Sequence, residues 1–117
     1  MLIGTVGLHH LDRADASTEV GYWLAEDWQG QGVMTAAVSA VVTYVFEEWR
    51  LNRVAIVCPE ENARSRAIPE RLGFVLEGQR RQAMMLRSWP YDLCDYGMLA
   101  SDWVRMNEQR AAHRRSP

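Results

Sequence analysis

The stretch Gln29-Gly30-Gln31-Gly32-Val33-Met34-Thr35 constrains this chain more than any other, because it sets a glycine-containing turn between a strand-like run and a long helix-like one. Glycines without Cβ let the backbone come close to an anion. The first turn of a helix leaves N–H groups unpaired and carries partial positive charge. A phosphorylated molecule is therefore expected on this turn.

The flanking periodicities fix what surrounds it. Leu2 to His10 is β-prone, Asp12 to Ser17 is a polar turn, and Thr18 to Leu24 is a second β-prone run, which together predict a hairpin. Met34, Ala37, Val38, Val41, Val45 and Trp49 recur at three- and four-residue spacing, so Met34 to Trp49 is predicted as an amphipathic helix covering a sheet. Arg53 to Cys58 follows this crossover as a strand parallel to Thr18–Leu24, ended by Pro59. Asn62 to Leu72 reads as a second helix closed by Gly73, with Pro69 set against its last turn. Phe74–Leu86 and Leu93–Ala100 flank a turn around Ser88, Trp89 and Pro90 as an antiparallel hairpin, and Ser101 to Arg110 is a short final helix. The fold class is α+β, with a mixed, mostly antiparallel sheet and one parallel crossover.

With 117 residues, 48% of them hydrophobic, the chain supports one domain with one core. The net charge of −2 gives no basic field, which makes nucleic acid a poor partner; the basic residues from Arg110 to Arg115 read as a solvated end of the 104–117 tail. No segment has the roughly 18 apolar residues of a membrane span, and Met1 to Leu8 lacks the features of a signal peptide. Cys58 and Cys94 lack metal or redox spacing and read as small core residues, which places the chain in the cytoplasm. No metal-binding spacing involves His9 and His10, of which at most one can face a given side of a strand. Met84, Met85 and the five Trp residues read as core or pocket wall.

Two common phosphate patterns fail on this turn. A P-loop needs a Lys, and the chain has none, all thirteen basic residues being Arg; a dinucleotide fingerprint needs a third glycine where Thr35 stands. What fits is a [Gln/Arg]-x-x-Gly-x-[Gly/Ala] pattern, read here as Gln29 to Met34 with Met34 in place of the last small residue. With Gly21-Tyr22-Trp23-Leu24 before it and Glu61 to Phe74 beyond it, the chain resembles the Gcn5-related N-acetyltransferase (GNAT) superfamily, in the branch of the ribosomal-protein N-terminal acetyltransferases. The resemblance runs from Leu2 to about Trp103.

The resemblance implies an acetyl-CoA-dependent N-acetyltransferase in which a primary amine of a protein N-terminus or small molecule attacks the thioester directly, with no metal. It places acetyl-CoA in a splay between the strands ending at Leu24 and Cys58, alongside Trp23 and Leu24. The pyrophosphate would rest on the turn formed by Gln29, Gly30, Gln31, Gly32, Val33, Met34 and Thr35. The N–H near Leu24 would be the oxyanion donor. Asn62 would contact the pantetheine arm, or cap its helix, or both. Pro69 stands where many members carry a Tyr acid, so Ser65 is the candidate partner of the sulfur, and Glu19 the candidate base. A Glu common in the following hairpin is absent from Ala83-Met84-Met85-Leu86. Members usually begin with a strand, helices and another strand ahead of the segment matching Leu2–His10, so an N-terminally truncated fold is expected, with an open edge there that favours a homodimer or strand exchange. The alternatives are a truncated CoA-binding module with weak turnover, and an interaction fragment that binds neither substrate.

Overall fold

The computed structural model describes residues 4–24 and 32–115. Among the described residues five strands and three helices follow one another as β1 (Gly4–Asp12), β2 (Ser17–Leu24), α1 (Val33–Glu47), β3 (Arg53–Pro59), α2 (Ala63–Arg71), β4 (Val75–Leu86), β5 (Trp89–Leu99) and α3 (Ala100–Arg115). They build one sheet in the order β1-β2-β3-β5-β4. Every neighbouring pair is antiparallel except β2 and β3, joined by the α1 crossover.

That parallel pair is short. Pairing runs only through Ser17–Arg53, Thr18–Val54 and Glu19–Ala55, while β2 continues to Leu24 and β3 to Pro59. Past the third rung the strands diverge, and their facing backbone groups lose the partners a ladder would supply.

The core lies on one side of the sheet. Strand side chains alternate between faces, and the even-numbered Val20, Val54, Ile56, Cys58, Cys94, Tyr96 and Met98 join Met34, Val38, Val42, Val45 and Phe46 of α1, Ile68 of α2 and Trp103 of α3 in one cluster. The opposite face carries the ion pairs Arg53–Glu77 and Arg80–Asp95 and sets His10 Nε2 3.6 Å from the Glu19 carboxylate. Both cysteines are free and buried, as expected of core residues.

α2 starts at Asn62, whose Oδ1 accepts the Ser65 N–H at 3.0 Å. It ends in a Schellman motif: the Phe74 N–H donates to the Pro69 carbonyl and the Gly73 N–H to that of Glu70, with Gly73 left-handed at φ 84°. Tyr96 on β5 ties the helix down, accepting from Arg66 Nε at 3.1 Å and donating to Glu70 at 2.8 Å.

Several expectations need correction. The β4–β5 turn is Arg87–Ser88, both at positive φ, and Trp89 and Pro90 belong to β5. A proline is tolerated there because β3 flanks β5 only as far as Leu93, leaving no ladder on that side for Pro90 to break. The final helix reaches Arg115, so the basic residues from Arg110 onward are helical rather than a frayed end. The helix after the glycine turn stops at Glu47, leaving Trp49 outside it and partly exposed, while Val42 and Phe46 complete its buried stripe. Met85 and Trp89 also stand in solvent, on the long hairpin beyond the helices. Among the described residues no helix is long and apolar enough to cross a membrane, and no group of His, Cys, Asp or Glu is placed to hold a metal.

Candidate functional site

The divergence of β2 from β3 opens a cleft of about 460 Å³ between the sheet and the first turns of α1 and α2. Tyr22 and Trp23 of β2 line it, with Gly32, Met34 and Thr35 at the start of α1 and Asn62 and Ser65 at the start of α2. Six expected site residues, Trp23, Gly32, Met34, Thr35, Asn62 and Ser65, are thus brought to one place.

Gly32 caps α1 in the left-handed conformation, φ 75°, and an added Cβ would point into open space. Among the described residues no side chain caps this helix, and no acidic residue occupies its first turn. The N–H groups of Val33, Met34 and Thr35 therefore keep their donor capacity, and the positive end of the helix is not neutralised from within. Gln29, Gly30 and Gln31 lie outside the described residues.

Pro69 shapes the opposite wall. Without an N–H it cannot bond the Ser65 carbonyl one turn back, and that carbonyl instead accepts the Tyr22 hydroxyl at 2.6 Å, with Cys58 Sγ at 3.6 Å. Tyr22 Oη also lies 3.4 Å from Cys58 Sγ. Burial, reinforced by the neighbouring Cys58, pushes the Tyr22 phenol far above its usual range, and burial likewise pushes the Cys58 thiol up. Both stay protonated at neutral pH. The Ser65 hydroxyl itself makes no hydrogen bond among the described residues and borders the cleft. Among the described residues Asn62 bonds through Oδ1 alone, which leaves its Nδ2 donors for a ligand.

Glu19 is not brought to the cleft. It sits on the last parallel rung, on the face away from the helices, with its carboxylate 3.6 Å from His10 Nε2. Leu24, the last described residue of β2, has its backbone at the open end of the splay, paired on the outer side with Gly4. His9 lies across Gly21 on that outer face and lines neither this cleft nor the next.

A second cleft of about 420 Å³ shares Pro59, Asn62, Ala63 and Arg64 with the first and continues toward the hairpin, bounded by Glu61, Met84, Leu86 and Tyr91. Sequence reasoning missed this cleft, and missed Tyr22. The lost donor at Pro69 was a readable signal that Ser65 needs another partner; which side chain supplies it depends on the strand crossing behind α2.

The sequence profile of the Acetyltransferase (GNAT) domain matches residues 1–75. The chain is 43% identical over 102 residues to the putative ribosomal N-acetyltransferase YdaF of Bacillus subtilis (strain 168), covering 87% of this chain and 56% of that protein. A crystal structure of a probable acetyltransferase superposes with a TM-score of 0.85 at 43% identity, covering 87% of this chain and 58% of that one. The microcin C7 self-immunity acetyltransferase MccE, solved with acetyl-CoA and AMP, superposes with a TM-score of 0.76 at 30% identity over 84% of this chain and 54% of its own. The chain spans about half the length of the curated relatives it matches.

Proposed function

The chain belongs to the acetyltransferase (GNAT) domain family, and from that premise we propose that it is an acetyl-CoA-dependent N-acetyltransferase acting on a primary amine by direct attack on the thioester. The observation that carries this reading is the uncapped, glycine-led start of α1 opening into the cleft where β2 and β3 part. Backbone amides there suit a pyrophosphate, and the unpaired strand edges suit the amides of a pantetheine arm. A relative of the same fold was solved with acetyl-CoA, which supports the choice of donor.

In such a transfer the amine nitrogen bonds the thioester carbon, the carbon–sulfur bond breaks, and the sulfur leaves as a thiol with one proton released overall. Gly32 gives the donor close approach, Val33 to Thr35 supply N–H groups, and Trp23 forms a wall. Asn62 offers its Nδ2 donors to the arm. Ser65 faces the cleft with a free hydroxyl and orients the sulfur rather than protonating it, a hydroxyl being a weaker acid than a thiol. The backbone at Leu24 is assigned the developing oxyanion, whereas Glu19, on the opposite face of the sheet beside His10, does not reach an amine held in the cleft. Gln29, Gly30 and Gln31 complete the cradle in this reading. The acceptors are protein N-termini or small amines, the setting is cytoplasmic, and the working form is a homodimer.

A weakly active CoA-binding module is the second reading, favoured by Pro69 and Met84 standing where acids would. Calorimetric titration with CoA, together with thiol release from acetyl-CoA over a panel of amines and peptide N-termini, tests both. Binding with release supports the transferase, binding without release the module, and no binding overturns both.

A further inference from the structure

The second cleft is not needed to hold the donor, yet it shares a wall with the cleft that would. Pro59 and the segment from Asn62 to Arg64 border both, so the two meet at the start of α2, beside Ser65. A molecule in the second cleft would approach the reacting end of one in the first from the other side of that wall.

Its lining is chemically selective. Met84 is the one residue of β4 that is not exposed, because it turns into this cleft while its neighbours face solvent. A bulge places it. The β4–β5 register slips between Arg80 and Met84, and the Asp92 carboxylate holds the slipped segment by accepting the Gln82 N–H at 2.7 Å. Leu86 and the half-buried Tyr91 extend the apolar wall, and Glu61 is the one carboxylate among the described lining residues. Arg64 also borders this cleft.

We propose that this second cleft is the acceptor subsite, and that it takes a monocationic primary amine carrying an apolar side chain, with Glu61 holding the ammonium and Met84, Leu86 and Tyr91 holding the side chain. The proposal rests on the transferase reading for its direction of attack, but the subsite itself is a binding claim. One carboxylate next to an apolar wall matches one ammonium next to an apolar group. A polyamine would have to put its second cation against Met84 and Leu86 and leave it unpaired.

The test measures amine binding to the full chain by calorimetry, with and without CoA, alongside acetyl transfer. The probes are isoamylamine, a tripeptide amide beginning with Leu, the same peptide beginning with Asp, and spermidine. The Leu peptide and isoamylamine are expected to bind at least tenfold more tightly than spermidine or the Asp peptide, the Leu peptide against isoamylamine separating protein from small-molecule acceptors. Glu61→Gln should weaken both favoured probes about tenfold while leaving CoA affinity and the melting temperature unchanged, since Glu61 is exposed. Met84→Glu should move the preference toward spermidine. Equal binding of spermidine, or unchanged affinity in Glu61→Gln, overturns the proposal whether or not transfer occurs. Absent transfer with these preferences intact overturns the transferase reading and leaves the subsite standing.

Discussion

Pro69 costs α2 one hydrogen bond, and Tyr22 fills the vacancy from a strand 47 residues earlier in the chain. Removing the hydroxyl leaves a part-buried carbonyl with only the weak Cys58 Sγ donor at 3.6 Å, so Tyr22→Phe is expected to destabilise the fold by about 1–3 kcal/mol. Pro69→Ala supplies a new N–H to the same carbonyl. In that background Tyr22→Phe should cost markedly less, and a four-variant denaturation cycle measures the coupling; additive costs would mean that the two donors do not compete. Gly32 is the other residue whose chemistry is set by its backbone. A β-branched side chain at φ 75° costs about 1–3 kcal/mol and points a methyl into the cleft. Titration with CoA should therefore show a much larger loss for Gly32→Val than for Gln31→Ala, and equal losses would shift recognition from the backbone to the side chains.

At the scale of elements, the hairpins and the crossover were legible because periodicity and glycine placement carry them, while the splay was legible only through the family resemblance. Val20 and Tyr22 alternate with Glu19 and Gly21, and Gly73 marks the end of α2 as a left-handed cap should. The same alternation also places Glu19 on the face opposite Val20 and Tyr22, a signal that strand parity offers before any coordinates. The distal hairpin was misread for a different reason. Pro90 signals a turn locally, yet the two residues that turn are Arg87 and Ser88, at φ 52° and 64°, neither a usual choice for a two-residue loop. Replacing them with Asn-Gly should relieve that strain and stabilise the fold by about 1 kcal/mol, seen as a melting point a few degrees higher. No change would mean that the flanking strands already absorb the strain. The second cleft was not legible at all, since it needs a bulge, a carboxylate clip and the end of β3 to meet.

Across the whole molecule the one-sided core decides both shape and solution behaviour. The radius of gyration is 15.0 Å, against about 13 Å for a compact domain of this length, as expected of a sheet covered by helices on one face. The other face is held by charge pairs. Arg53 keeps the Glu77 carboxyl below its usual range through a hydrogen bond, so the pair's contribution is complete above the unfolded value near pH ~4.3 and is lost as pH falls through the lower folded value. Both side chains are over a third exposed, which limits the effect to about 0.2–1 kcal/mol; Glu77→Gln should flatten that acid limb in urea melts. The two sheet edges differ in the same currency. β4 is guarded by Glu77, Arg80 and Arg81 and by two register shifts, whereas β1 carries no charged residue before Asp12 and keeps an unbroken register from Gly4 to His9. A bare, regular edge invites a second strand, so a homodimer should pair along β1, and light scattering should give twice the 13.4 kDa chain mass. Thr5→Lys adds a charge to that edge at an exposed position and should return the mass to that of a single chain, while a single-chain mass for the unaltered protein at micromolar concentration would rule out pairing through β1.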